Sequence, residues 1–131
     1  MKILIIDNDE STVTTLKALI LSQEEMTIDI ASSGEEGLKK MRQYPNYDLA
    51  MIDIMMPKIS GMDVCKEMVN DWQLSQIPVI LMSSALPLPP KEYQESLKKF
   101  SSLSVIKAVI EKPFAIEELI EKIHEVARKP L

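Results

Sequence analysis

Charged and polar side chains, several of them able to bind a cation, follow four short hydrophobic runs of this 131-residue sequence. They are Asp7, Asn8, Asp9, Asp53, Ser83, Ser84 and Lys112. Crowded carboxylates repel one another, so a purely structural role explains such a cluster poorly unless a cation binds between them. Hard oxygen ligands suit Mg²⁺, which takes one or two carboxylates and leaves positions for water or phosphate. We expect the three carboxylates, the hydroxyls and the ammonium to converge on one edge of the sheet, where they predict a site for Mg²⁺.

Five apolar runs predict the strands that would bring these residues together. The runs are residues 3–6, 26–30, 48–52, 79–82 and 108–110. The segments after them carry apolar residues at spacings of three and four, which predicts five helices. The third of these has the stripe Met62, Cys65, Met68 and Trp72, and the fourth begins near Lys91 after a proline-rich stretch. Trp72 is thereby placed on the apolar face of the third helix.

The alternation of strands and helices predicts a doubly wound α/β domain, because nearly continuous hydrophobic strands are typical of a parallel sheet covered on both faces. Ligands of such sheets bind beyond the carboxyl ends of the strands, where the polar residues fall. Asp9 also precedes the first predicted helix, and we favour helix capping for it. For Asp7 we favour cation binding.

Composition limits the classes of function. With 46% hydrophobic and 27% charged residues, the chain is expected to form one domain over residues 1–131. A net charge of −5 gives no overall positive field, so we predict no direct binding to nucleic acid. The apolar runs are shorter than the ~20 residues that span a bilayer, and Met1-Lys2 leads into a strand, so we expect a cytoplasmic protein without membrane contact. A single cysteine, Cys65, and a single histidine, His124, give no disulfide and no zinc cluster.

Four motifs in this order resemble the receiver domain of two-component response regulators, the fold of the chemotaxis response regulator. Residues 3–10 are similar to the acidic first loop of that family, and Asp53–Pro57 followed by Gly61 to its phosphoacceptor strand and loop. Residues 78–84 are similar to its hydroxyl-bearing strand, and Lys112-Pro113-Phe114 to the Lys-Pro pair that ends its last strand. The resemblance covers essentially the whole chain.

The resemblance implies a phosphorelay switch. Asp53 would accept a phosphoryl group from a histidine kinase, a phosphotransfer protein or a small phosphodonor in a Mg²⁺-dependent reaction. The ligands of the ion would be Asp7, Asn8, Asp53 and the main-chain carbonyl of Met55, directly or through water. Ser83 would hydrogen-bond the phosphoryl group and Lys112 would pair with it. Apart from this transfer and self-catalysed dephosphorylation, the resemblance implies no enzymatic activity.

The resemblance also implies a flavodoxin-like sheet with strand order 2-1-3-4-5 and five helices. The partner that reads the switch would be an effector protein or an output domain. A homodimer through the helix beginning near Lys91, the last strand and the last helix would also be compatible with it.

Two departures from the family keep an alternative open. Asn8 stands where the family usually has a second carboxylate, which leaves open whether Asn8 or Asp9 supplies the metal ligand. Val109 stands where the family commonly has Tyr or Phe. The alternative is a phosphorylation-independent pseudo-receiver that only docks or dimerises. A flavodoxin-like cofactor protein shares the fold, but the acidic first loop lacks a Gly- or Ser/Thr-rich phosphate cradle.

Overall fold

The computed structural model describes residues 1–21, 25–84 and 103–128. Its strands are β1 (Lys2–Ile6), β2 (Thr27–Ala31), β3 (Leu49–Asp53), β4 (Val79–Ser84) and β5 (Ile106–Lys112). Its α-helices are α1 (Glu10–Leu21), α2 (Gly34–Gln43), α3 (Gly61–Val69) and α4 (Ile116–Val126), with a 3₁₀ turn at Leu74–Gln76. The helix predicted to begin near Lys91 and the proline-rich stretch before it lie outside the described residues. None of the described helices is long and apolar enough to span a membrane.

The strands form one parallel sheet in the order β2-β1-β3-β4-β5, which confirms the expected α/β topology. Ile6 of β1 pairs with Ile52 of β3, so Asp7 and Asp53 leave adjacent strands side by side. Asp53 in turn aligns with Met82 of β4, the residue before Ser83. The chain reverses its direction of winding between β1 and β3, which is where ligands bind in open α/β sheets.

Alternate residues of each strand face two separate hydrophobic cores. Leu4 and Ile6 pack with α2 and α3 on one face of the sheet. Ile3 and Ile5 pack with α1 and α4 on the other face. Burial on both faces explains why the strands are unbroken hydrophobic runs in the sequence. It also means that the residues at the carboxyl ends of these strands are supported by a packed sheet.

The strands extend further than the hydrophobic runs suggested. Asp53, Ser83 and Lys112 were predicted to follow strands, whereas Asp53 and Lys112 are the last residues of β3 and β5, and Ser83 lies within β4. Backbone pairing continues past the apolar residues because the main-chain N–H of Ile54 still donates to the carbonyl of Met82 at 3.0 Å. These side chains are therefore carried by the sheet itself rather than by loops.

The prediction that Trp72 lies on the third helix is wrong. Helix α3 ends at Val69, and Trp72 is 79% exposed. The carboxylate of Asp71 accepts the N–H groups of Gln73 and Leu74 at 2.9 and 3.3 Å, which starts a new turn. Leu74 is buried from this turn, so it takes the core position that the spacing assigned to Trp72.

Cys65 lies on the buried face of α3 and has no exposed surface. Burial raises the pKa of its thiol to about 12, because the thiolate would lose its hydration. We expect iodoacetamide to alkylate the native protein at least about a hundredfold more slowly than the same protein in urea, since the reactive thiolate is depleted. Mass spectrometry over time measures both rates, and equal rates would contradict this placement of the thiol.

Candidate functional site

An ammonium and two carboxylates meet at the carboxyl edge of the sheet. The Nζ atom of Lys112 lies 2.8 Å from Oδ2 of Asp7 and 3.5 Å from Oδ2 of Asp53. The side chains of Asp7 and Asp53 are 0% and 5% exposed, and that of Lys112 is 16% exposed. Three strands thus bring a buried cluster of charges together, in which two carboxylates face one ammonium.

Main-chain N–H groups orient both carboxylates. The N–H of Met55 donates to Oδ1 of Asp53 at 3.1 Å, and the N–H of Asp9 donates to Oδ1 of Asp7 at 2.9 Å. Each carboxylate therefore has one oxygen bound by its own loop and the other directed to Lys112. This arrangement holds the two carboxylates in fixed orientations on either side of Lys112.

Burial raises the pKa of Asp53 to about 6, since the ionised carboxylate is removed from water. The ammonium of Lys112 opposes this rise, and the carboxylate of Asp7 adds to it through like-charge repulsion. One ammonium is therefore insufficient to neutralise the cluster. A further positive charge beside Asp53 would favour the ionised, nucleophilic form of this side chain.

Ser83 and Asn8 flank the cluster on different sides. Ser83 is buried within β4, and its neighbour Met82 pairs with Asp53. Asn8 is exposed and lines two adjoining clefts of about 340 and 150 Å³. Ser32 lines both clefts too, and Glu10 lines the larger one.

Glu10 and Ser32 were not among the predicted site residues. Glu10 directly follows the acidic loop, and Ser32 directly follows β2. Extending the search for polar residues at strand ends to the second strand would have found Ser32, and extending it one residue beyond Asp9 would have found Glu10.

Asp9 does not join the other two carboxylates. Its Oδ1 accepts the N–H of Ser11 at 3.0 Å and the hydroxyl of Ser11 at 2.8 Å, and its Oδ2 accepts the hydroxyl of Thr12 at 3.1 Å. These bonds cap α1 and lower the pKa of Asp9. Among the described residues, no group of three or more His, Cys, Asp or Glu side chains is placed to hold a metal ion. The prediction that three carboxylates converge is therefore wrong with respect to Asp9.

Gly61 brings the start of α3 against the backbone of Asp53. A Cβ atom on Gly61 would lie 2.5 Å from the carbonyl oxygen of Asp53 and 3.0 Å from Cα of Ile54. The N–H of Gly61 also donates to the carbonyl of Ile54 at 3.0 Å. In the loop between Ile54 and Gly61, Lys58 adopts the left-handed backbone conformation with φ of 68°. The close approach explains why this loop needs glycine at its end.

We expect Gly61→Ala to lower the free energy of unfolding by about 1–3 kcal/mol, because the backbone of Asp53 must move away from the new methyl group. Urea denaturation measures the loss. Gly34→Ala is the comparison: the three atoms nearest its Cβ would be side-chain atoms of Ile59 and Val64 at 2.6 to 2.8 Å, so its loss reports side-chain repacking without displacement of the Asp53 backbone. An equal loss for both variants would contradict the special role of the contact at Gly61.

A comparison with protein families decides what kind of domain carries this site. The model of the response regulator receiver domain matches residues 3–124. The chain belongs to this family. The match supports a receiver domain over a flavodoxin-like cofactor protein, and it gives no support to the pseudo-receiver alternative.

The curated relatives of this receiver domain are longer proteins. Response regulator ArlR of Staphylococcus epidermidis is 32% identical over 127 residues, which are 96% of this chain and 52% of that protein. Response regulator GtcR of Aneurinibacillus migulanus is 39% identical over 83 residues, 63% of this chain and 33% of the relative. The chain thus spans about half the length of ArlR, and its aligned segment covers about a third of GtcR.

Solved structures share the fold of this receiver domain. The receiver domain of Francisella response regulator 1452 superposes with a TM-score of 0.72 at 29% identity, covering 95% of this chain and 93% of that one. The Vibrio cholerae chemotaxis protein CheY4 superposes with a TM-score of 0.78 at 21% identity, covering 95% and 97% of the two chains. The latter likeness concerns the fold alone.

Proposed function

We propose that the chain, as one receiver domain over residues 1–131, accepts a phosphoryl group on Asp53 and thereby changes its affinity for a partner. The observation that carries the proposal is the buried carboxylate of Asp53, 3.5 Å from the ammonium of Lys112 at the reversal point of the sheet. A carboxylate there can attack an incoming phosphoryl group while the ammonium neutralises the oxygens of that group. Phosphoryl transfer depends mainly on such positioning and neutralisation.

The donor set fits a hard divalent cation, and we propose Mg²⁺. Asp7 and Asp53 offer carboxylate oxygens, and Asn8 and the carbonyl of Met55 offer neutral oxygens, which is the ligand chemistry that Mg²⁺ prefers. The raised pKa of Asp53 also supports a bound cation, because it shows that the buried cluster lacks positive charge. When bound, the ion would neutralise the oxygens of the phosphoryl group. Asp9 is occupied in capping α1, so Asn8 is the better candidate for the remaining ligand.

Lys112 and Ser83 have separate roles in this proposal. Lys112 contacts Asp7 more closely than Asp53, so it can move towards a new phosphoryl group on Asp53 while keeping one carboxylate partner. Ser83 would donate its hydroxyl to the phosphoryl group from within β4. Because phosphorylation adds charge and acceptor oxygens, both side chains would favour a rearranged state of the domain.

The proposed donors are a histidine kinase, a phosphotransfer protein or a small phosphodonor. The proposed reader is an effector protein or an output domain, because the relatives reported above are about twice as long as this chain. A homodimer through β5, α4 and the helix predicted near Lys91 stays part of the proposal. Val109 on β5 is half-buried and aliphatic, so this readout would operate without an aromatic ring that changes its exposure.

Incubation with Mg²⁺ and acetyl phosphate tests the proposal directly. Intact-mass spectrometry should show one added phosphoryl group, and chelation of the metal by EDTA should prevent its addition. A folded protein that gains no phosphate from acetyl phosphate or from a panel of histidine kinases would contradict the proposal and favour a pseudo-receiver.

We expect Asn8→Asp to tighten Mg²⁺ binding roughly tenfold, on the order of 1.4 kcal/mol, because a carboxylate replaces a neutral oxygen beside the ion. Solvent keeps the gain modest because residue 8 is exposed. Titration calorimetry measures the affinity. Glu10→Gln is the control, because it changes a charge in the same cleft without changing a proposed ligand. It should change the affinity less. Unchanged affinity in Asn8→Asp would show that residue 8 is not a ligand.

A further inference from the structure

The last described residue of the chain is bound to a loop at the opposite end of the sheet from Asp53. Helix α4 ends at Val126, and Ala127 turns the chain into an extended conformation with φ of −56° and ψ of 141°. The N–H of Arg128 then donates to the carbonyl of Asp48 at 2.8 Å. Asp48 immediately precedes β3, so this bond joins the end of α4 to the start of the strand that carries Asp53.

The side chain of Arg128 binds the same loop. Its Nη2 atom donates to the carbonyl of Tyr47 at 2.8 Å and to that of Pro45 at 3.3 Å. Together with its main-chain N–H, Arg128 therefore satisfies three carbonyl groups of residues 45–48. A planar guanidinium presents several N–H donors in a fixed geometry, which suits it to a set of neighbouring carbonyls.

The loop that Arg128 binds is itself firmly held. Tyr47 is 2% exposed and donates its hydroxyl to Oδ2 of Asp29 at 2.6 Å. Asp48 exchanges two bonds with Lys2: its N–H donates to the carbonyl of Lys2, and its carboxylate accepts the N–H of Lys2, both at 2.8 Å. Arg128 is thus anchored to a rigid point between β1, β2 and β3.

The two ends of α4 are restrained unequally. At its start, the N-cap residue Ala115 makes no capping bond through its side chain, and Phe114 and Ile116 are only partly buried. This start follows Lys112, whose ammonium belongs to the charge cluster. Leu119 and Ile123 fix the middle of the helix in the core, and Arg128 holds the segment beyond its end.

We propose that Arg128 is a positioning residue that latches the C-terminal end of α4 to the start of β3. The latch holds this end in both states of the switch, so that rearrangement on phosphorylation is confined to the start of α4. The confinement of the rearrangement rests on the proposed function, whereas the latch itself does not.

Hydrogen exchange of single amides, followed by NMR without any ligand, tests the latch. In the native protein the amide of Arg128 should be protected although it lies beyond the helix. Arg128→Ala should speed exchange at residue 128 at least tenfold, and Arg128→Lys should have a smaller effect because it offers a single ammonium. Arg42→Ala is the control: Arg42 also donates through Nη2, but to the exposed Glu67, and its loss should leave residue 128 protected. Unchanged protection in Arg128→Ala would overturn the latch.

Addition of Mg²⁺ and beryllofluoride, a phosphoryl mimic, tests what the latch does. In the native protein the exchange rates should change around Asp53 and over residues 113–118, and stay constant over 122–128. In Arg128→Ala the changes should spread to the end of the helix. Changes that reach residue 128 in the native protein, or that are identical in both proteins, would overturn the confinement. An absence of any change around Asp53 would instead overturn the proposed function, and the experiment without ligand would still decide the latch.

Discussion

Asp53→Asn is expected to abolish phosphate incorporation from acetyl phosphate. Asparagine keeps the size of the side chain and can still accept the N–H of Met55, but an amide is not a nucleophile for phosphoryl transfer. We expect Asp7 not to substitute for it, because its side chain is fully enclosed and Lys112 binds it more tightly, at 2.8 Å against 3.5 Å for Asp53. Intact-mass spectrometry after incubation with Mg²⁺ measures the result.

Asp63→Asn is the matched control for this experiment. Asp63 is an exposed carboxylate that caps α3 by accepting the N–H and the hydroxyl of Ser60 at 3.0 and 3.1 Å. It lies outside the charge cluster, so the variant should gain one phosphoryl group as the native protein does. A phosphoryl group on Asp53→Asn would show that another residue is the acceptor.

Much of the fold could be predicted from the sequence because both faces of the sheet are buried. Runs such as Ile3–Ile6 have no polar alternation, which is typical of a central parallel strand. The error at Trp72 arose because its spacing from Met68 continues the helical period. Asn70 and Asp71 interrupt the helix there, and their side chains bond to nearby main-chain groups, so the period alone could not locate the helix end.

The meeting of Asp7, Asp53 and Lys112 follows from the topology, since the carboxyl ends of parallel strands share one edge. The closer contact of Lys112 with Asp7 could not be predicted, because it depends on how two buried carboxylates compete for the end of a flexible side chain. The role of Arg128 could not be predicted from the sequence either. Its partners are main-chain carbonyls, which every residue type presents, so no motif marks them.

Lys112→Met is expected to lower the free energy of unfolding by about 3 kcal/mol at neutral pH in buffer that contains EDTA. Methionine fills a similar space, but it leaves the carboxylates of Asp7 and Asp53 buried without a cation. Urea denaturation measures the change. Lys122→Met is the control, because the ammonium of Lys122 lies 3.5 Å from the exposed carboxylate of Glu125, and its loss should cost at most about 1 kcal/mol.

The pH dependence of this loss identifies its cause. Burial already raises the pKa of Asp53 to about 6, and removing the opposing ammonium raises it further. A carboxyl whose pKa is higher in the folded than in the unfolded state destabilises the fold at pH values above its folded pKa. The penalty is relieved as the pH falls through that value towards the unfolded pKa of 3.8. The loss in Lys112→Met should therefore shrink in mildly acidic buffer, and the double variant with Asp53→Asn, which leaves Asp7 as the one buried carboxylate of the pair without its ammonium, should lose less at neutral pH. A loss independent of pH would mean that Lys112 stabilises the domain by packing and not by neutralising the carboxylates.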